Sequence, residues 1–141
     1  MSGQRRRITR VPIPLGVLLL LLGLSACGGT GERDASASAA ATAFEQALAG
    51  DDRAALCAAL APETLSEVED SEKKACDEAI GAQDLPAGGP VRNVDVYGRQ
   101  ARAVLASDTL FLSQFPAGWK VVAAGCQPRS GQPYQCSVKG G

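Results

Sequence analysis

Five cysteines and no histidine set the terms of any chemistry this 141-residue chain can do. Cys57, Cys76, Cys126 and Cys136 lie within the body of the sequence, while Cys27 stands apart, just past the apolar run LGVLLLLLGL at residues 15–24. A zinc site built on the four later cysteines is not expected, because they form no close Cys-x-x-Cys pair and no histidine completes a ligand set. The acidic group Glu67, Glu69, Asp70 and Glu72 lacks the alternating oxygen ligands and the glycine of a calcium loop, so it reads as a solvated helix junction. No serine has the histidine of an ordinary hydrolase triad, and neither GGTG nor PAGG has the lysine and strand-to-helix context of a phosphate loop. Metal and cofactor are therefore both expected to be absent.

The residues around Cys27 carry the strongest signal. Arg5, Arg6, Arg7 and Arg10 precede the apolar run without an acid among them, the arrangement of an export signal. The run is about half of the roughly 20 apolar residues a membrane span needs. Leu24-Ser25-Ala26-Cys27 resembles the bacterial lipobox, in which a branched apolar residue and two small residues precede an obligatory cysteine. The resemblance implies a diacylglyceryl group on the Cys27 thiol and cleavage just before it. Residues 1–26 are then a lipoprotein signal peptide, and the mature chain is held at the extracytoplasmic face of the cell membrane through lipidated Cys27. Each buried methylene contributes about 0.8 kcal/mol, so two acyl chains anchor durably where one holds only marginally. QRRRIT loosely resembles a twin-arginine signal, and the general secretory route fits the following residues better.

Export changes the reading of the other cysteines. An even number in an oxidising compartment implies two disulfides, with three pairings available, and proximity favours Cys57 with Cys76 and Cys126 with Cys136. Loops of roughly 10 to 20 residues would contribute about 3 kcal/mol each, a large share for a small core. Loss of the signal also removes four arginines, leaving ten basic residues against fifteen acidic ones, a balance that argues against a nucleic-acid partner. The charge is uneven: residues 45–84 hold eleven acids and three bases, whereas residues 91–141 hold two acids and six bases. This split reads as solvation of two faces.

The elements that must position these residues change character along the chain. Residues 27–38, small and polar, read as a flexible tether, and residues 39–138 as a single domain. Ala40, Phe44, Ala47 and Leu48 fall at helical spacing and Gly50 suits a helix end. Asp51 and Asp52 can cap a second helix that carries Leu56, Cys57 and Leu60 on one face. Pro62 opens a short third segment with Leu65 and Val68 inward, and SEKKACDEAIGA is helical with Ala75, Cys76, Ala79 and Ile80 as its apolar stripe. Beyond a Gly- and Pro-rich loop the period becomes alternating: VRNVDVYG, ARAVLAS, TLFLSQF and WKVVAAGC read as a four-stranded antiparallel meander, to which YQCSV can add an edge strand. The expected class is α+β, with the helices covering one face of a curved sheet and two disulfides stapling the domain. Phe111 and Phe115 are expected to pack under the helices, and Trp119 to anchor the core.

Ala41, Phe44, Ala47, Leu48 and Asp51 in the first helix, with Gly118-Trp119-Lys120-Val121-Val122 in the last strand, resemble the nuclear-transport-factor-2-like superfamily over roughly residues 39–125. The resemblance implies a cone in which helices and a bent sheet enclose a pocket or a filled core. Some members are isomerases or dehydratases with an aspartate or histidine base and a tyrosine inside the cone. The nearest residues here are Asp95 and Tyr97, two apart on one strand face, and a carboxylate in an apolar cone could have its pKa raised toward that of a general base. The plainer role for Asp95 is a solvent-facing partner of Arg99 or Arg102. The functional expectation is a non-catalytic binding or scaffolding domain whose partner is an envelope protein. A small apolar ligand is the alternative, and a pocket enzyme using Asp95 and Tyr97 the least favoured.

Overall fold

The computed structural model describes residues 29–140; Cys27 and the segment expected to be a signal peptide lie outside the described residues. Four helices come first, α1 (Thr30–Ala49), α2 (Arg53–Ala59), α3 (Pro62–Glu72) and α4 (Cys76–Ala82). Six strands follow: β1 (Asn93–Tyr97), β2 (Gln100–Val104), β3 (Thr109–Phe115), β4 (Gly118–Arg129), β5 (Gln132–Gln135) and β6 (Val138–Lys139). The class is α+β with an antiparallel sheet, as expected.

The segment expected to be a tether is helical from Thr30 onward. Its alanines are strong helix formers, and tertiary contacts fix what propensity favours. Ala37 and Ala41 are fully buried, and the Trp119 indole Nε1 donates to Ser36 Oγ at 3.0 Å. Asp52 caps α2 as expected, its side chain accepting from the Ala55 N–H. The single helix expected across residues 71–82 is instead broken. Lys73 adopts a left-handed conformation (φ 53°) and α4 starts only at Cys76, whose N–H donates to Glu69 Oε1. The break lets α4 fold back along α2, where Cys57 and Cys76 are disulfide-bonded.

β1 to β4 form the expected antiparallel meander, and the sheet then continues past the four strands expected. β4 is long enough to pair with β3 on one side and with both β5 and β6 on the other. Gly125, at φ 63°, sits where β4 changes partners. A side chain there would press on Leu85 and Ser137, so the position favours glycine sterically as well as conformationally. The Cys126–Cys136 bridge ties the tail back to β4. Both pairings favoured by proximity are thus the ones formed.

The helices lie on the face of the sheet that presents Ala101, Ala103, Leu110, Leu112, Trp119 and Val121, all buried. Phe44, Leu110, Leu112 and Val121 are among the largest side chains with almost no exposure, so α1 packs on a filled interior. The expectation for Phe111 fails. Strand alternation puts Leu110 and Leu112 under the helices and turns Phe111 to the opposite, outer face, where its ring meets Tyr134 edge-on at 5.0 Å. Phe115 shares that outer face and is half-buried.

Candidate functional site

Asp95 and Tyr97 lie on β1 as expected, but outside the packed interior. Antiparallel register sets Asp95 directly opposite Arg102, and the Arg102 guanidinium donates to Asp95 Oδ2 at 2.7 Å. That hydrogen bond, with a further one from Asn93, lowers the Asp95 pKa below its ordinary value. A general base requires a shift in the other direction. Tyr97 is 67% exposed at the tip of the β1–β2 hairpin. The plainer role for Asp95, partner of a strand arginine, is the one observed.

Trp119 occupies the core and donates its one N–H to Ser36, as befits an anchor. Among the described residues, no group of three or more Asp, Glu, Cys or His side chains is placed to hold a metal ion.

Two features have the geometry of sites. The first is a groove of about 450 Å³ where the start of α3 meets the outer face of the sheet. Pro62, Phe115, Val122 and Ala123 give it apolar walls, Gln100 and Ser113 supply polar groups, and the charged Glu63 and Lys139 line it as well. The link between α2 and α3 and the first turn of α3 are fixed to β4 beside it: the Ala61 N–H donates to the Val121 carbonyl at 2.8 Å, and Thr64 Oγ1 donates to the Val122 carbonyl.

The second is a pair of buried acids that sequence reasoning missed. Glu45 lies on the inward side of α1, and its Oε2 accepts from the Gly88 N–H at 2.7 Å and from the Gly89 N–H at 3.2 Å. Asp108, in the β2–β3 turn, is buried against the same glycine loop, where the Ser107 N–H and Oγ both donate to the Gly88 carbonyl at 3.0 Å. Glu45 Oε1 and Asp108 Oδ1 are buried without a hydrogen-bond partner. Burial raises the pKa of both groups, and the neighbouring Asp108 charge raises that of Glu45 further. The signal was present: Glu45 interrupts the inward stripe of Ala41, Phe44 and Leu48, where a lone carboxylate needs donors, and Gly88-Gly89 are open-backbone donors. Nothing in the residue order joins the two.

Comparison with known proteins found no matching family, no matching characterised protein and no matching solved structure.

Proposed function

We propose that this chain is exported, lipidated on Cys27 and held at the outer face of the membrane, where its α+β domain binds a partner in the cell envelope without catalysing a reaction. One observation carries the reading. The two disulfides account for four of the five cysteines, leaving as the odd one the cysteine that directly follows an export-like apolar run in a lipobox-like setting. Disulfides persist in oxidising compartments, in keeping with export.

The binding role rests on the packing. Helices cover one face of an antiparallel sheet, and Phe44, Leu110, Leu112 and Val121 fill the space between them, the space where a catalytic member of the nuclear-transport-factor-2-like superfamily would keep an active site. Asp95 is engaged by Arg102 in the outer layer.

The test is fractionation of the native protein beside Cys27→Ser. The wild type stays with membranes in plain buffer and enters detergent as a chain that begins at Cys27, carries two acyl groups and lacks two hydrogens per bridge. Cys27→Ser moves to the soluble fraction. A wild-type chain that begins at Met1, or that washes from membranes in buffer, overturns the proposal.

The groove between α3 and the outer sheet face favours a second reading, in which the partner is a small apolar molecule. Such a ligand raises the melting temperature by mass action, and Phe115→Ala removes that shift while the unliganded melting point changes little.

A further inference from the structure

Arg33 fixes the end of the domain from which the amino-terminal chain departs. It sits at the start of α1, and its Nη2 donates to the Gly98 carbonyl and to Gln114 Oε1 (3.2 Å). Arg99 donates in turn to the Gln114 carbonyl at 2.8 Å. The first turns of α1 are thereby tied to the β1–β2 hairpin and to the end of β3. Register brings the β3–β4 hairpin to the same end, because Gln100 pairs with both Tyr97 and Ser113, and Ser113 pairs with Lys120.

The two ends of the sheet differ in chemistry. Beside the start of α1 the tips are Tyr97-Gly98 and Phe115-Pro116-Ala117-Gly118, with Tyr97, Pro116 and Ala117 exposed. Arg99, next in the first turn, has its guanidinium turned back onto Gln114. At the far end the turns are Ala106-Ser107-Asp108 and Arg129-Ser130-Gly131-Gln132, polar and charged. An exposed tyrosine beside the uncharged, apolar Pro116-Ala117 turn suits the headgroup level of a bilayer, where an amphipathic ring has both an apolar and a wet side and an arginine such as Arg99 can sit among the polar headgroups.

Chain length supplies the occupant. Two residues, Gly28 and Gly29, lie between Cys27 and Thr30, and the three residue-to-residue steps span at most about 11 Å. An acylated Cys27 therefore holds the first turn of α1 within that distance of the lipid, and the headgroup layer itself is about 5 to 8 Å deep on each face. We infer that the anchored domain docks end-on, with the Tyr97-Gly98 and Phe115-Pro116-Ala117 tips resting in the headgroup layer of the membrane that holds Cys27. The inference rests on the anchored reading above.

Charge is not the attraction. Glu32 and Asp34 flank Arg33, and Arg102 is paired with Asp95, so this end presents no free basic patch to anionic lipid. The short tether supplies a high effective concentration instead, under which weak tip contacts suffice.

The test uses the full lipidated chain with Tyr97→Trp, Ala117→Trp or Gln132→Trp, reconstituted in phosphatidylcholine vesicles with and without 5-doxyl phosphatidylcholine. Buried Trp119 is the background common to all. The first two variants are expected to lose at least half of their added fluorescence to the quencher, and Gln132→Trp, at the far end, almost none. A protein that floats with the vesicles while all three positions are quenched alike overturns the docking and leaves the anchor standing. One that does not float overturns both. Hydroxyl-radical labelling of wild-type Tyr97 needs no tryptophan variant. At least twofold less labelling on vesicles than in soluble Cys27→Ser is expected, and equal labelling counts against the docking.

Discussion

Asp95 and Glu45 are both acids on regular secondary structure, and their surroundings move their titration in opposite directions. Asp95 stands on the outer face of the sheet with the Arg102 guanidinium across the strand, and its pKa is lowered from the ordinary 3.8. Glu45 is buried under α1 among backbone N–H donors, with Asp108 nearby, and its pKa is raised from the ordinary 4.5. A pair of opposite charges at a wet surface can form with little desolvation, and it stabilises the ionised acid. Two acids in a dry cleft destabilise it, even when backbone donors offset part of the cost. Proton linkage gives the two sites opposite slopes. Asp95 adds stability above its ordinary pKa, and that contribution is lost as pH falls through its lowered folded value. Glu45 and Asp108 bind protons more tightly when folded, so their sites are most favourable in acid and lose stability as pH rises through their raised values.

The buried site breaks most readily through its backbone. A Cβ on Gly88 would overlap Asp108 Oδ1 and lie 2.6 Å from Leu105 Cδ1. Gly88→Ala is expected to cost about 1 to 3 kcal/mol, as overpacking does in well-filled interiors, read from the urea midpoint. Glu45→Ala comes next. It leaves the Gly88 N–H buried without its acceptor, at a cost of about 1 to 3 kcal/mol toward the lower end. Faster amide exchange at Gly88 and Gly89 should accompany it, since Glu45 is what holds that loop to α1.

How far such contrasts could be read from residue order follows from how local their causes are. The two disulfides span short separations, 19 and 10 residues, and both pairs were legible. The Asp52 cap was legible for the same reason. The first turns of α1 were not. GERDASAS has little to bury, and its order comes from Trp119 and Gly98, which lie far along the chain. TLFLSQF carries apolar residues on both faces, so alternation alone left its phase open, and only Tyr134 on β5 explains why Phe111 can face outward. Glu45 and Asp108 likewise meet only because α1, the glycine loop and the β2–β3 turn converge. Residue order therefore marks Glu45 as a carboxylate in an apolar stripe but does not join it to Asp108, whereas Asp95 and Tyr97 stand two apart on one strand.

Glu45→Gln sharpens the comparison by removing the charge without removing the contact. The amide oxygen still accepts from Gly88 and Gly89, and the amide nitrogen supplies a donor on the carboxylate edge that now has none. The variant is expected to melt above wild type at neutral pH, because the wild-type carboxylate is penalised there. The advantage should shrink as pH falls and vanish below the ordinary glutamate pKa, where Glu45 is protonated whether folded or not. Thermal melts at several pH values measure it, and a variant that melts below wild type at neutral pH would show that the ionised form is well accommodated.

Asp95→Asn is the counterpart, with the smallest effect and the opposite slope. The ion pair with Arg102 lies at the surface, where water screens both partners and side-chain ordering offsets the attraction. The variant should therefore melt only slightly below wild type at neutral pH and coincide with it in acid, once the wild-type carboxyl has taken up its proton. The same substitution also probes the catalytic alternative. A base on β1 would lose its reaction with the carboxylate, whereas a surface partner of Arg102 leaves every binding readout in place. Salt separates the two sites again: added sodium chloride should erase the Asp95→Asn difference and leave the Glu45→Gln gain nearly intact, since counterions reach the outer face of the sheet and not the space under α1.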